Sequence, residues 1–172
     1  KLVLDEGERK SNRTGVDTLS YFGAHYKVDL AKGLPLLTTK KVNFNAVAHE
    51  LLWYLSGDTH IRDLRQKTKI WDAWTSEEKN WEVGNLYGYQ WVKWEQYLPN
   101  PQTGAYEVHH INQIQKVIDM LKSNPFDRRM IVTAWNPSDL HRPKGDPKIP
   151  ALPSCHAFFM FHVSPSGKLN CH

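Results

Sequence analysis

The sequence contains no run of about 18 apolar residues, the length a helix needs to cross a bilayer. It has no internal repeat, no low-complexity tract and no Cys-x-x-Cys pair. Cysteine is scarce: only Cys155 and Cys171 occur. The first ten residues carry six charges instead of the apolar segment of a secretory signal. These absences argue against a membrane-spanning protein, a repeat array, a disulfide scaffold and a zinc ribbon. The adjacent Cys155-His156 and Cys171-His172 pairs do not rescue a metal site, because neighbouring strand residues point apart; no metal is expected. The expectation is a soluble, cytoplasmic protein with reduced thiols. What is present suits one domain: 172 residues, 40% apolar and 12% aromatic, with a net charge of +4 that fits an anionic partner without specifying one. The chain opens on Lys1 and closes at His172 inside an alternating stretch, so both ends are expected to be boundaries within a longer chain.

Periodicity gives an α+β order. From Asn43 to Ser56 apolar residues at Phe44, Val47, Ala48, Leu51, Leu52 and Leu55 predict a helix buried on that face, stopped by Gly57. Ile111, Ile114, Val117, Ile118 and Leu121 predict a second helix, 111–123, ended by Asn124-Pro125. Ile61 to Thr68 reads as a shorter helix. Thr18 to Phe22 and His25 to Leu30 read as a hairpin or bent strand around Gly23, and Gly33 to Lys41 as a loop. Met130 to Trp135 and His156 to Val163 are β-branched and aromatic runs expected as central strands buried on both faces. A Ser164-Pro-Ser-Gly167 turn should pair the latter with Lys168 to His172. Residues 80–106 have no clear period and are expected as a structured loop.

Several residues invite chemical readings, each beside a plainer one. Cys155 follows a proline-containing loop at the start of a predicted strand. Its thiol, with a free pKa near about 8.5, becomes a nucleophile once deprotonated, although a small buried core thiol is the commoner alternative. His156 is adjacent but points to the other face. Glu50 lies among apolar residues, where a half-buried carboxylate can shuttle protons; an exposed helix Glu is the alternative. Arg128 and Arg129 are consecutive guanidinium forks suited to phosphate, or else a solvated corner. Arg13 lies in an Asn12-Arg-Thr-Gly15 turn that lets backbone approach an anion. Trp71 and Trp74 are three apart and could stack on a planar heterocycle, or simply pack in a core. Tyr87 stands beside a glycine, useful at a site and equally in a turn.

The order of these segments is more specific than any one. Asn12-Arg-Thr-Gly-Val16, Leu34-Pro-Leu-Leu-Thr-Thr-Lys-Lys41, His49-Glu-Leu-Leu-Trp-Tyr-Leu-Ser-Gly-Asp-Thr59, Ile70-Trp-Asp-Ala-Trp74, Tyr87-Gly-Tyr-Gln-Trp91, the run Asp127 to Pro137 and Ala151-Leu-Pro-Ser-Cys-His-Ala-Phe-Phe159 together closely resemble the thymidylate synthase family. The resemblance implies a homodimeric α+β enzyme, with a mixed sheet packed by helices in a single domain over 1–172. It would convert dUMP to dTMP with 5,10-methylenetetrahydrofolate as co-substrate. It further implies that Cys155 adds to C6 of the pyrimidine, assisted by Glu50 and Tyr87. Arg13 would hold the phosphate, with Arg128 and Arg129 reaching across from the partner subunit. His156 would support the pyrimidine pocket, and Ile70, Trp71, Trp74 and Leu152 would line the folate side.

The sequence departs from the family pattern at Ser154, where proline is usual beside the cysteine, at Asn85-Leu86 and at Asn43. An insertion-like stretch, His141 to Lys148, lengthens the loop before Cys155. The family's Gln-Arg-Ser segment, its folate- and pyrimidine-reading Asp and Asn, and its His-x-Tyr would follow His172. These 172 residues alone are therefore expected not to turn over substrate. Two other readings stay open at this point. One is a deoxypyrimidine-nucleotide hydroxymethylase of the same superfamily, against which the presence of both Trp71 and Trp74 counts. The other is a non-catalytic RNA- or nucleotide-binding relative, against which the absence of a basic stripe counts.

Overall fold

The computed structural model describes residues 1–172, which divide into two compact units, Lys1–Val42 and Asn43–His172. The first holds a short helix α1 (Leu2–Glu6) and an antiparallel pair, β1 (Glu8–Lys10) with β2 (Thr18–Ser20), in register Glu8↔Ser20. The expected strand over His25–Leu30 does not form. That segment finds no partner strand, and a single 3-10 turn at Leu30–Lys32 follows, its Asp29 side chain accepting from the Ala31 N–H.

The second unit is built on helices α2 (Phe44–Ser56), α3 (Tyr87–Lys93), α4 (Gln113–Ser123) and the short α5 (Pro137–Leu140). A hairpin pairs β3 (Trp94–Pro99) with β4 (Tyr106–Ile111), and an antiparallel sheet runs β5 (Ile131–Thr133), β6 (Phe158–Val163), β7 (Leu169–Cys171), with β6 in the centre. The class is α+β as expected; the mixed sheet is realised as three small antiparallel ones across the two units. β6 is central but not buried on both faces, since Phe158 and Ile131 stay half exposed. No helix is long and apolar enough to cross a membrane.

Local chemistry explains the α2 boundaries. The Asn43 side chain accepts from the Ala46 N–H at 3.2 Å, and Gly57 ends the helix with φ 70°. A side chain at Gly57 would also meet Val92 Cγ2, so two constraints select glycine there. The buried face differs from the expected one. Ala46, Trp53 and Tyr54 are inside, whereas Phe44, Val47, Leu51, Leu52 and Leu55 are exposed. The helix is apolar nearly all round, and its two large aromatics take the core side because they fill an aromatic cluster. In that cluster Trp53, Tyr54, Trp71, Tyr87, Trp91 and Phe159 lie in tilted or edge-on pairs, with centroids 4.9 to 6.5 Å apart. Each such pair contributes about 1 kcal/mol beyond the area it buries.

α4 begins two residues later than expected. Asn112 caps it by accepting from the Gln115 N–H, and Ile111 closes β4. Ile61–Thr68 contains only a 3-10 turn at Leu64–Gln66. Residues 80–106 are not a loop: they hold α3, all of β3 and the first residue of β4. The seven-residue α3 crosses α2 closely, because a Cβ on Gly88 would collide with the Tyr54 carbonyl oxygen.

Candidate active site

Cys155 lies in the coil between α5 and β6, three residues before the strand starts. The thiol is exposed and free, as is that of Cys171 on β7. Three anchors fix the backbone around Cys155. Its own N–H donates to the Tyr87 hydroxyl at 2.7 Å. Before it, the Ala151 N–H donates to the Val83 carbonyl at 2.9 Å; after it, the Ala157 carbonyl accepts from the N–H groups of Ala134 and Trp135. A solvent-facing sulfur thus sits on held backbone.

Tyr87 opens α3 and is 3% exposed. Burial pushes its hydroxyl pKa up, opposed by the backbone N–H groups of Cys155 and His156. The phenol therefore stays protonated at neutral pH. Because its oxygen accepts the Cys155 N–H, its own proton remains available to a neighbouring acceptor. The Tyr87 ring packs on Tyr54 at 4.9 Å and on the His156 imidazole at 5.7 Å.

Glu50 is half-buried on α2, and its Oε1 accepts from Trp71 Nε1 at 2.7 Å. The Tyr54 hydroxyl pKa is driven upward by burial and then by the Glu50 charge and hydrogen bond. Trp71 is a core residue, 6% exposed, that positions this carboxylate. Glu50 is hydrogen-bonded to Tyr54, whose ring packs on Tyr87, the residue that holds the cysteine loop.

The other predicted residues are distributed less closely. Trp74 and Ile70 are exposed at 47% and 46%, and Leu152 is half-buried, so the two tryptophans do not share one exposed side. Arg128 and Arg129 are exposed beside β5; Arg129 approaches only Asp127, at 3.8 Å, with its side chain 84% exposed. Arg13 belongs to the first unit, in a turn where Asn12 Oδ1 accepts from Thr14 and Gly15 takes φ 75°. No cluster of three or more His, Cys, Asp or Glu side chains is placed to hold a metal.

Sequence reasoning missed a buried polar knot behind the site. Asp139 is 3% exposed; its Oδ2 accepts from Gln90, Asn85 and Asn136, and its Oδ1 accepts from Arg142 Nε at 2.6 Å. Gln90 lies one turn beyond Tyr87 on α3. The only sequence signal was the helix-start pattern of Asn136-Pro137-Ser138-Asp139, which reads as a cap and does not reveal partners about 50 residues away.

With this geometry in view, the family model described as thymidylate synthase matches residues 1–172, spanning both units. The chain belongs to the thymidylate synthase family. That membership places it among methyltransferases of dTMP biosynthesis. Within a thymidylate synthase-type chain, an exposed thiol on rigid backbone, a protonated phenol beside it and a carboxylate one aromatic ring further on are groups suited to nucleophilic addition followed by proton removal.

Proposed function

We propose that the chain carries the nucleophile and part of the acid–base machinery for reductive methylation of dUMP to dTMP. The observation that carries this reading is the exposed Cys155 thiol, its backbone N–H held by the buried Tyr87 hydroxyl at 2.7 Å, in a chain of this family. The Cys155 thiolate attacks C6 of the pyrimidine. The S–C6 bond forms, the C5=C6 π electrons move toward C5 and the O4 carbonyl, and C5 becomes nucleophilic. After alkylation at C5, the C5 proton departs through ordered water to Glu50, with the Tyr87 hydroxyl beside the cysteine loop as a second proton-handling group. Loss of that proton breaks the bond between the new methylene and its donor nitrogen, and hydride addition to the resulting exocyclic methylene completes the methyl group, expels the Cys155 thiolate and re-forms C5=C6.

The chain's residues fit a folate co-substrate. Trp74 and Ile70 offer exposed apolar faces and Leu152 a half-buried one, suited to a planar heterocycle, while Trp71 supports from behind by holding Glu50. When bound, 5,10-methylenetetrahydrofolate supplies the one-carbon unit and the hydride. His156, whose ring meets Tyr87 at a tilt, is the residue of this reading that borders the pyrimidine. Arg13, Arg128 and Arg129 are the phosphate donors of this reading, the last two from a second copy. Their exposure supports that assignment, because neither has a buried partner within its own chain. Large apolar residues left exposed on α2 and the β5–β6–β7 sheet, including Leu52, Ile131 and Phe158, support a homodimer.

The test is tritium release from dUMP labelled at C5, with product mass measured alongside, on the full-length protein. The reading expects label release, dTMP and dihydrofolate, all lost in Cys155→Ser. A hydroxymethylated product would instead assign the hydroxymethylase of the same superfamily. Salt-dependent RNA binding without dUMP affinity would assign the binding relative.

A further inference from the structure

The stretch between α5 and Ala151 carries two ionic ties that the chemistry above leaves unused. At its start, Arg142 bridges Asp139, at 2.6 Å, and Asp146, at 3.2 Å, which closes the 142–146 turn onto the buried knot. At its end, Lys148 Nζ donates to Glu95 Oε1 at 2.6 Å, and the same carboxylate accepts from the Tyr89 and Tyr97 hydroxyls. Between these ties the backbone lies directly on the segment before α3. The Asn85 N–H donates to the Lys148 carbonyl at 3.1 Å, and a Cβ on Gly84 would strike the Ile149 carbonyl oxygen. Gly84 has φ 74°, so glycine is required there both by conformation and by the closeness of the crossing strap.

The strap therefore registers against residues 84–85, two positions before the Tyr87 that holds the Cys155 N–H. It hands the chain to Ala151, the first anchor of the nucleophile loop. Asp139 reinforces the same register by gripping Gln90 of α3. We infer that Arg142 and Lys148 are positioning residues: their ties make the 141–148 insertion a rigid strap that sets the register of the Cys155 loop against Tyr87. The inference rests on reading Cys155 as the nucleophile.

Competitive alkylation tests it without requiring turnover. Iodoacetamide labelling of Cys155 is measured against Cys171, the other exposed thiol, which lies on β7 paired with β6 and reports on the fold as a whole. Iodoacetamide needs no particular direction of approach, so freeing the loop raises the Cys155-to-Cys171 labelling ratio about threefold in Lys148→Met and in Arg142→Met. Oriented attack suffers instead: covalent adduct formation with 5-fluoro-dUMP slows about tenfold, with nucleotide affinity within about twofold. Lys148→Arg restores both. Should Arg142→Met fail to fold because it leaves Asp139 without its cation, the half-exposed Lys148 carries the test. An unchanged ratio in Lys148→Met overturns the inference, as does parallel acceleration at both cysteines. Absence of adduct in the unsubstituted protein would refute the functional reading and leave the labelling ratio as the test of the strap.

Discussion

Cys155 combines an exposed sulfur with backbone held on three sides, and its closest functional neighbour is a phenol that burial keeps protonated. Tyr87→Phe removes the acceptor of the Cys155 N–H and the available proton while keeping the ring in the aromatic cluster. Its kcat should fall about 10- to 100-fold, with little change in nucleotide affinity, as measured by steady-state kinetics and equilibrium binding. Because the Tyr87 pKa is raised, kcat against pH should show no alkaline limb from this phenol below its ordinary value of 10.0. Glu50→Gln keeps an acceptor for Trp71 Nε1 but loses the proton-accepting charge. The expected outcome is a loss of about a hundredfold in kcat with a melting temperature close to that of the unsubstituted protein. A large loss of stability with kcat intact would make Glu50 a structural residue.

Among the elements, the α2–α3 crossing is the most constrained by close approach. Gly88→Ala puts a Cβ against the Tyr54 carbonyl, where backbone cannot move aside, and should destabilise by about 2 kcal/mol in urea unfolding. The same crossing shows what the sequence could reveal. α2 and the β6–β7 hairpin were legible because their signals are local: apolar residues at helical spacing, a left-handed glycine and a four-residue turn. α3 was not, since it is seven residues long, contains Gly88 and buries Tyr87, Gly88, Gln90 and Trp91 on more than one side, which blurs the period. The exposed apolar side of α2 was assigned to the core because periodicity finds an apolar stripe without identifying what covers it. At the site, Cys155, Glu50 and Tyr87 stood out through the ordered motifs. The Trp71–Glu50 bond and the Asp139 knot did not, because they join residues 21 and about 50 apart, and no local pattern encodes such pairings.

Across the whole molecule, charge couples to stability through Glu95. Burial pushes this carboxyl up, but hydrogen bonds from Lys148, Tyr97 and Tyr89 and the Lys148 charge overcome it and hold its pKa at about 2 against a usual 4.5. A depressed carboxyl contributes stability that is fully present above the unfolded value and is lost as pH falls toward the folded one. The melting-temperature gap between the unsubstituted protein and Glu95→Gln should therefore be widest near neutrality and close between pH 4.5 and 2; a gap independent of pH would contradict that role. The family match spans residues 1–172, which take in both compact units. The most direct measurement of the proposed reaction is the mass of the protein after mixing with 5-fluoro-dUMP and 5,10-methylenetetrahydrofolate, because a fluorine at C5 cannot leave as a proton and the adduct accumulates. The account predicts one nucleotide with its covalently attached folate added per chain, mapped by peptide mass to Cys155 and absent from Cys155→Ser. An adduct on Cys171, or none at all with both ligands bound, would contradict it.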